Sequence, residues 1–146
     1  MFDGVTTRAV VSELDSCLKN AKVNRIMQPT KNEIIIETYK NGERFFVNIS
    51  IVPDNCRVCL TSHLKENPQN AYNFCMLLRK HLNSSKIIEV SNYDLERTIE
   101  LKFEAHNELN DIEIKRLYIQ IMSRQSNVIL TNEKRIIIDT LKHFDI

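Results

Sequence analysis

Three short clusters hold side chains whose types and spacing could do chemistry. Glu96-Arg97 is an acid–base dipeptide near the bend of a hairpin-like stretch. Its guanidinium fork can bind a phosphate or a base edge, with the carboxylate orienting it. As a plain solvated pair it would be worth little. Arg79-Lys80-His81 falls in the last turn of an amphipathic segment, where cations complement exposed carbonyls. The same charges can meet a phosphate backbone in a salt-sensitive, sequence-independent contact. Cys56-Arg57-Val58-Cys59 has CxxC form, with His63 close by. Zinc needs a second ligand pair there, and redox chemistry needs a helix N-terminus. The segment reads instead as a strand, in which positions three apart face opposite sides. Ordinary thiols are therefore favoured at Cys56 and Cys59, as at Cys17 and Cys75 on apolar helix faces. No Ser-His-Asp set or metal cluster stands out. Two glycines in the whole chain exclude a P-loop or a dinucleotide fingerprint. No catalytic constellation and no cofactor are expected.

The elements that must position these groups can be read in order. Asp3 or Thr6 can cap a first helix, a role that needs only a short side-chain oxygen. Val10, Leu14, Cys17, Leu18 and Ala21 then keep helical spacing to about Asn20. Residues 22–28 turn extended, and Pro29 is expected to stop them. Residues 33–40 and 43–50 read as strands joined at Asn41-Gly42, the strongest short hairpin signal. Pro53-Asp54-Asn55 makes a turn, and residues 57–61 form a fourth strand. Asn67 followed by Pro68 is expected to open a second helix. Its apolar stripe is Ala71, Phe74, Cys75, Leu78 and Leu82, and it ends at Asn83-Ser84-Ser85. Strands follow at 87–90, 98–103, 113–124, 127–131 and 135–140, with imperfect alternation around Lys115-Arg116. Two helices and about nine strands, mostly hairpin-connected, imply antiparallel pairing. The expected fold is α+β: a two-layer antiparallel β-sandwich flanked by helices.

Composition bounds the function classes. A chain of 146 residues with 42% hydrophobic and 27% charged residues suits one globular domain with a sizeable core. Net charge is +1, which argues against coating nucleic acid by bulk charge and leaves room for a local patch. No apolar run approaches the ~20 residues of a membrane helix. The N-terminus lacks a basic region leading into an apolar core, so no signal peptide is expected and the cytoplasm is the expected location.

Five segments, in order, carry a resemblance. They are Phe2-Asp3-Gly4 with Thr7-Arg8-Ala9-Val10-Val11, then Gln28-Pro29-Thr30-Lys31-Asn32-Glu33-Ile34. FCMLLRKHL (74–82) follows, with a strand and the acid–Arg pair behind it. Ile121-Met122 and Ser126-Asn127-Val128-Ile129-Leu130 complete the set. Together, from Met1 to about His143, the chain resembles the N-terminal domain of the NFACT family. Its bacterial members were first named fibronectin-binding protein A and are tied to ribosome-associated quality control. The family's acid–Arg pair is usually Asp-Arg, whereas this chain has Glu96.

The resemblance implies a fold like the N-terminal domain of formamidopyrimidine-DNA glycosylases. It does not imply their activity, because the chain begins Met1-Phe2-Asp3 and lacks their N-terminal proline and adjacent glutamate. Full-length relatives continue into a helix-hairpin-helix module, a coiled coil and a second NFACT domain, so residues 1–146 are expected to be an excised N-terminal fragment. The implied partners are a large ribosomal subunit with a stalled peptidyl-tRNA, and alanyl-tRNA recruited for alanine tailing. The implied tRNA-facing residues are Asp3, Arg79, Lys80, Glu96 and Arg97, expected on one face. The family's older name implies the alternative, a surface adhesin binding fibronectin or fibrinogen. A DNA-binding remnant of the glycosylase fold is a third reading.

Overall fold

The computed structural model describes residues 4–52, 55–62, 66–93, 98–121 and 125–143. Within these residues the chain forms helix α1 (Gly4–Leu18), then strands β1 (Lys22–Thr30), β2 (Glu33–Lys40), β3 (Glu43–Val52) and β4 (Asn55–Thr61). Helix α2 (Asn73–Leu82) follows, and strands β5 (Lys86–Tyr93), β6 (Thr98–His106), β7 (Ile112–Gln120), β8 (Asn127–Asn132) and β9 (Ile137–Thr140) complete it.

All nine strands join one antiparallel ladder in the order β4-β3-β2-β1-β5-β6-β7-β8-β9. The α+β class holds. The expected pair of separate sheets is instead one ladder with a narrow seam. β1 and β5 share one register pair, Lys22↔Lys86. It is flanked by the bonds Val23 N→Ser85 O and Ile87 N→Ala21 O, each 2.8 Å. Just past that pair both strands slip register, between Val23 and Arg25 and between Ile87 and Glu89. A bulge bends its strand and sharpens its twist; because the strands are antiparallel, the two bulges flank the Lys22↔Lys86 pair on opposite sides and confine the pairing to it. The leaf β4-β3-β2-β1 and the leaf β5-β6-β7-β8-β9 then turn toward a shared interior. One hydrophobic cluster draws Ile26, Ile36, Ile49 and Val58 from the first leaf and Ile87, Leu101, Leu117 and Val128 from the second. The Cys56 sulfur on edge strand β4 lies 3.3 Å from the Ser126 hydroxyl, just ahead of β8. In a flat sheet, with strands ~4.8 Å apart, seven strand spacings would separate them by roughly 34 Å.

Both helices close this interior. Val11, Leu14 and Leu18 of α1 are buried at the spacing of one helical face. α1 lies mainly on β5, where the Asp15 carboxylate accepts the Val90 amide at 2.8 Å. The helix stops at Leu18, short of Asn20, because Asn20 takes a left-handed φ of 71°. Ala21 then serves the seam rather than the helical stripe.

α2 begins at Asn73, with Tyr72 at its N-cap, and not at Pro68. Residues 66–70 are exposed and contain no strongly apolar side chain. A turn of helix there would have no face to bury, and short helices owe most of their stability to burial. The end falls as expected, with Asn83 as C-cap and Ser84 at φ 65°.

Pro29 does not stop β1. It lies buried inside the strand, where register slips between Met27 and Thr30. A residue without an N–H is tolerated where the ladder is already interrupted. The Asn41-Gly42 hairpin forms as read: φ is 51° and 80°, and pairing runs from Lys40↔Glu43 to Glu33↔Ser50. The 33–40 and 43–50 strands appear as β2 and β3, and β4 to β9 follow the expected order.

Candidate nucleic-acid interface

The exposed side of α2 is the place to start, because its buried side fixes everything on it. Phe74, Cys75, Leu78 and Leu82 face the core, and each fully buried leucine contributes about 1.5–3 kcal/mol. Beyond the seam, the β1 edge away from β2 has no strand partner among the described residues. A buried carbonyl must still find a donor. The Ile26 carbonyl finds two on α2: Arg79 Nε at 2.9 Å and the Cys75 thiol at 3.7 Å. Burial pushes the Cys75 thiol up against the opposing pull of Arg79, which keeps it protonated and able to donate.

The two cations proposed from sequence therefore have different surroundings. Arg79 is half-buried and its Nε is committed to the backbone of β1. Lys80 is exposed and stands at the mouth of a cleft of about 400 Å³ shared with His81, His106, Leu109, Glu113 and Lys115. The cleft floor is Lys115 on β7, paired through Nζ with Glu113 Oε2 at 2.7 Å. Asn107 Nδ2 donates to the other Glu113 oxygen at 2.8 Å. The bond from Lys115 and then that from Asn107 hold the Glu113 carboxyl below the usual range. His81 is pushed down by burial first and then by Lys115 and Lys80, against the pull of Glu113. Its ring is thus neutral at neutral pH. Since Glu113 cancels the charge of Lys115, Lys80 carries the outward-facing positive charge of the α2 end. The site offers the exposed Lys80 ammonium beside the His81 imidazole and the exposed Leu109.

Asp3, Glu96 and Arg97 lie outside the described residues, as do His63 and Met122 of the sequence motifs. The nearest described neighbours are Gly4 at the start of α1 and Thr98 at the start of β6. Lys115 is the residue sequence reasoning missed. The faltering alternation at Lys115-Arg116 was its signal. Lys115 faces inward beside the α2 end, and Arg116 faces outward to the buried Glu100 at 3.0 Å. Cys56 and Cys59 sit three apart on β4, both half-buried. Cys56 meets the Val52 carbonyl as well as Ser126. Among the described residues no group of three or more His, Cys, Asp or Glu side chains could hold a metal ion. No helix there is long and apolar enough to cross a membrane.

Comparison with known proteins gives a consistent set. The profile of the family described as "NFACT N-terminal and middle domains" matches residues 3–146. The protein named Rqc2 homolog RqcH from Bacillus subtilis is 35% identical over 143 residues, which is 97% of this chain and 25% of that protein. The human ribosome quality control complex subunit NEMF is 24% identical over 143 residues, again 97% of this chain and 12% of its own. The chain thus spans a quarter or less of these relatives. Among solved structures, the N-terminal domain of the fibronectin-binding protein PavA from Streptococcus pneumoniae superposes with a TM-score of 0.96 at 30% identity. That match covers 100% of this chain and 56% of PavA's crystallised domain.

Proposed function

The chain belongs to the NFACT family, matched over residues 3–146, and on that premise we propose that it is the RNA-binding module of a ribosome-associated quality-control factor. In this reading the full factor binds a large ribosomal subunit that still carries a stalled peptidyl-tRNA. It recruits alanyl-tRNA and directs alanine tailing of the nascent chain. Peptidyl transfer belongs to the ribosome; this domain supplies a tRNA-facing surface, without cofactor, in the cytoplasm. Residues 1–146 are then the N-terminal domain of a longer protein. The observation that carries the reading is the alignment of nearly the whole chain with RqcH and with a ribosome quality control complex subunit. Lys80, free to reach outward from the end of α2, supports a phosphate contact there. Asp3, Glu96 and Arg97 are assigned to the same surface from the family pattern.

Binding of tRNA across a salt series tests this. Arg97→Ala is expected to weaken binding and to lower the salt slope by about one, and Lys80→Ala to do the same more mildly. A folded wild-type chain that does not bind tRNA removes the RNA-binding reading. The name of PavA favours a second reading, a fibronectin- or fibrinogen-binding surface protein. Cell fractionation separates the two: recovery solely at the outer surface favours adhesion, and co-sedimentation with large subunits favours quality control. The kinship with glycosylase N-terminal domains belongs to the same proposal. Affinity for duplex DNA equal to that for tRNA would turn it toward DNA binding.

A further inference from the structure

Two of the family-like segments, at 28–34 and 126–130, find no role in the surface around Lys80. The fold brings them to one end of the domain. There the β1–β2 turn meets the stretch after β9, and Lys31, Asn32, Leu141, Lys142 and His143 line a cleft of about 450 Å³. The two strands that supply its walls stand five places apart in the ladder, so only the closure of the two leaves makes it. Each lysine's backbone is held by a buried amide side chain. Gln28 Nε2 donates to the Lys31 carbonyl at 3.2 Å. Asn127 Nδ2 donates to the Lys142 carbonyl at 3.1 Å, and Asn127 Oδ1 accepts the Lys142 amide at 2.9 Å. Gln28 and Asn127 are both about 95% buried, which makes them fixed braces rather than surface contacts.

Among the described residues the cleft lining carries two lysines and no carboxylate. Neither Lys31 nor Lys142 has a carboxylate partner among the described residues. The nearby Asp139 is turned to His143, 2.7 Å from its Nε2, and its other hydrogen bond accepts the Thr140 amide. Two lysines on braced backbones, one from each leaf, line the cleft together with Asn32, a set that can hold a tetrahedral anion. Lysine binds phosphate as a point charge, and phosphodiester contacts of this kind position a partner without reading its sequence.

We propose that Lys31 and Lys142 clamp a backbone phosphate of the RNA bound by this domain, at a site separate from the Lys80 end of α2. The inference rests on the RNA-binding reading above. The segments 28–34 and 126–130 are then the frame of a phosphate contact, and Gln28 and Asn127 are its positioning residues.

The test is tRNA affinity of the chain across a salt series for wild type, Lys31→Ala/Lys142→Ala and Lys31→Arg/Lys142→Arg, with Arg97→Ala alongside. The double alanine variant is expected to keep the wild-type thermal midpoint. It should lose roughly five- to tenfold in affinity near 0.1 M salt and lower the salt slope by about one to two. The loss should be equal for tRNAs of different sequence, and the double arginine variant should restore it. Wild-type affinity and slope in the alanine variant, with Arg97→Ala still impaired, overturns the clamp and leaves the RNA-binding reading standing. A folded wild type with no tRNA affinity overturns both.

Discussion

Replacing Arg79 by alanine should unfold the domain more readily, whereas replacing its neighbour Lys80 should not. Arg79 Nε donates to the Ile26 carbonyl at 2.9 Å, on a residue with no exposed surface and on the stretch of β1 that has lost its strand neighbour. Taking the donor away leaves that carbonyl with the Cys75 thiol at 3.7 Å, a poor substitute. An abandoned buried acceptor costs about 1–3 kcal/mol, while alanine in a helix returns only a few tenths. Lys80 is exposed, and surface changes of that kind stay within about 0.5 kcal/mol. For a urea slope of about 2 kcal/mol per molar, a 2 kcal/mol loss moves the midpoint down by roughly 1 M. Urea titrations of Arg79→Ala, Arg79→Lys and Lys80→Ala read this directly. Arg79→Lys should fall near Arg79→Ala, because an ammonium at the end of a straight stem does not reproduce the Nε position. Equal midpoints for Arg79→Ala and Lys80→Ala would refute the idea that α2 substitutes for a strand at the β1 edge. In RNA binding the order should invert, with Lys80→Ala impaired in a fully stable protein.

Two further outcomes follow from buried charge. His81 is held below its ordinary pKa by burial and by Lys115 and Lys80, so the unfolded chain takes up its proton first as pH falls. Stability from this residue is whole above about pH 6.5 and declines from there toward the lower folded-state value; His81→Gln should flatten that part of a pH series of urea midpoints. Glu100 is buried and paired with Arg116 at 3.0 Å, and with the half-exposed Arg135 at 3.8 Å. Arg116→Ala should cost about 2–3 kcal/mol in chemical denaturation, because the buried carboxylate loses its closest cation and is left with the longer Arg135 contact, and adding Glu100→Gln should recover part of the loss.

Local signals were legible wherever the chain's own chemistry decides the outcome. Asn41-Gly42 names its turn because few other dipeptides accept positive φ twice in a row. The stripe at Phe74, Cys75, Leu78 and Leu82 names its helix because those spacings share one face. The start of α2 is not legible locally, because Asn67-Pro68 is a sound local cap with nothing behind it to bury. Pro29 on its own points to a stop, because a bulge that accepts a proline is set by the partner strand. The seam between β1 and β5 was invisible for a similar reason: two bulges matter only once the fold sets them on either side of one strand pair. At the candidate interface, the helix end of Arg79-Lys80-His81 was legible from sequence. The commitment of Arg79 to β1 was not, since a guanidinium aimed at a carbonyl 53 residues away leaves no local trace. Lys115 showed only as an irregularity in an otherwise alternating strand.

The position of α1 has a consequence for how the chain is made. It leaves the ribosome ahead of strands β1 to β9, yet its main partner is β5, and the Asp15–Val90 bond spans 75 residues. At ~5–20 residues per second of synthesis, that partner emerges roughly 4–15 s later. Through this interval Val11, Leu14 and Leu18 have no β5 surface to cover them, and the hairpins of the first leaf can form only as an open meander. Chains arrested before Lys86 would display the α1 stripe to chaperones and proteases, whereas chains arrested after β6 would be much better shielded.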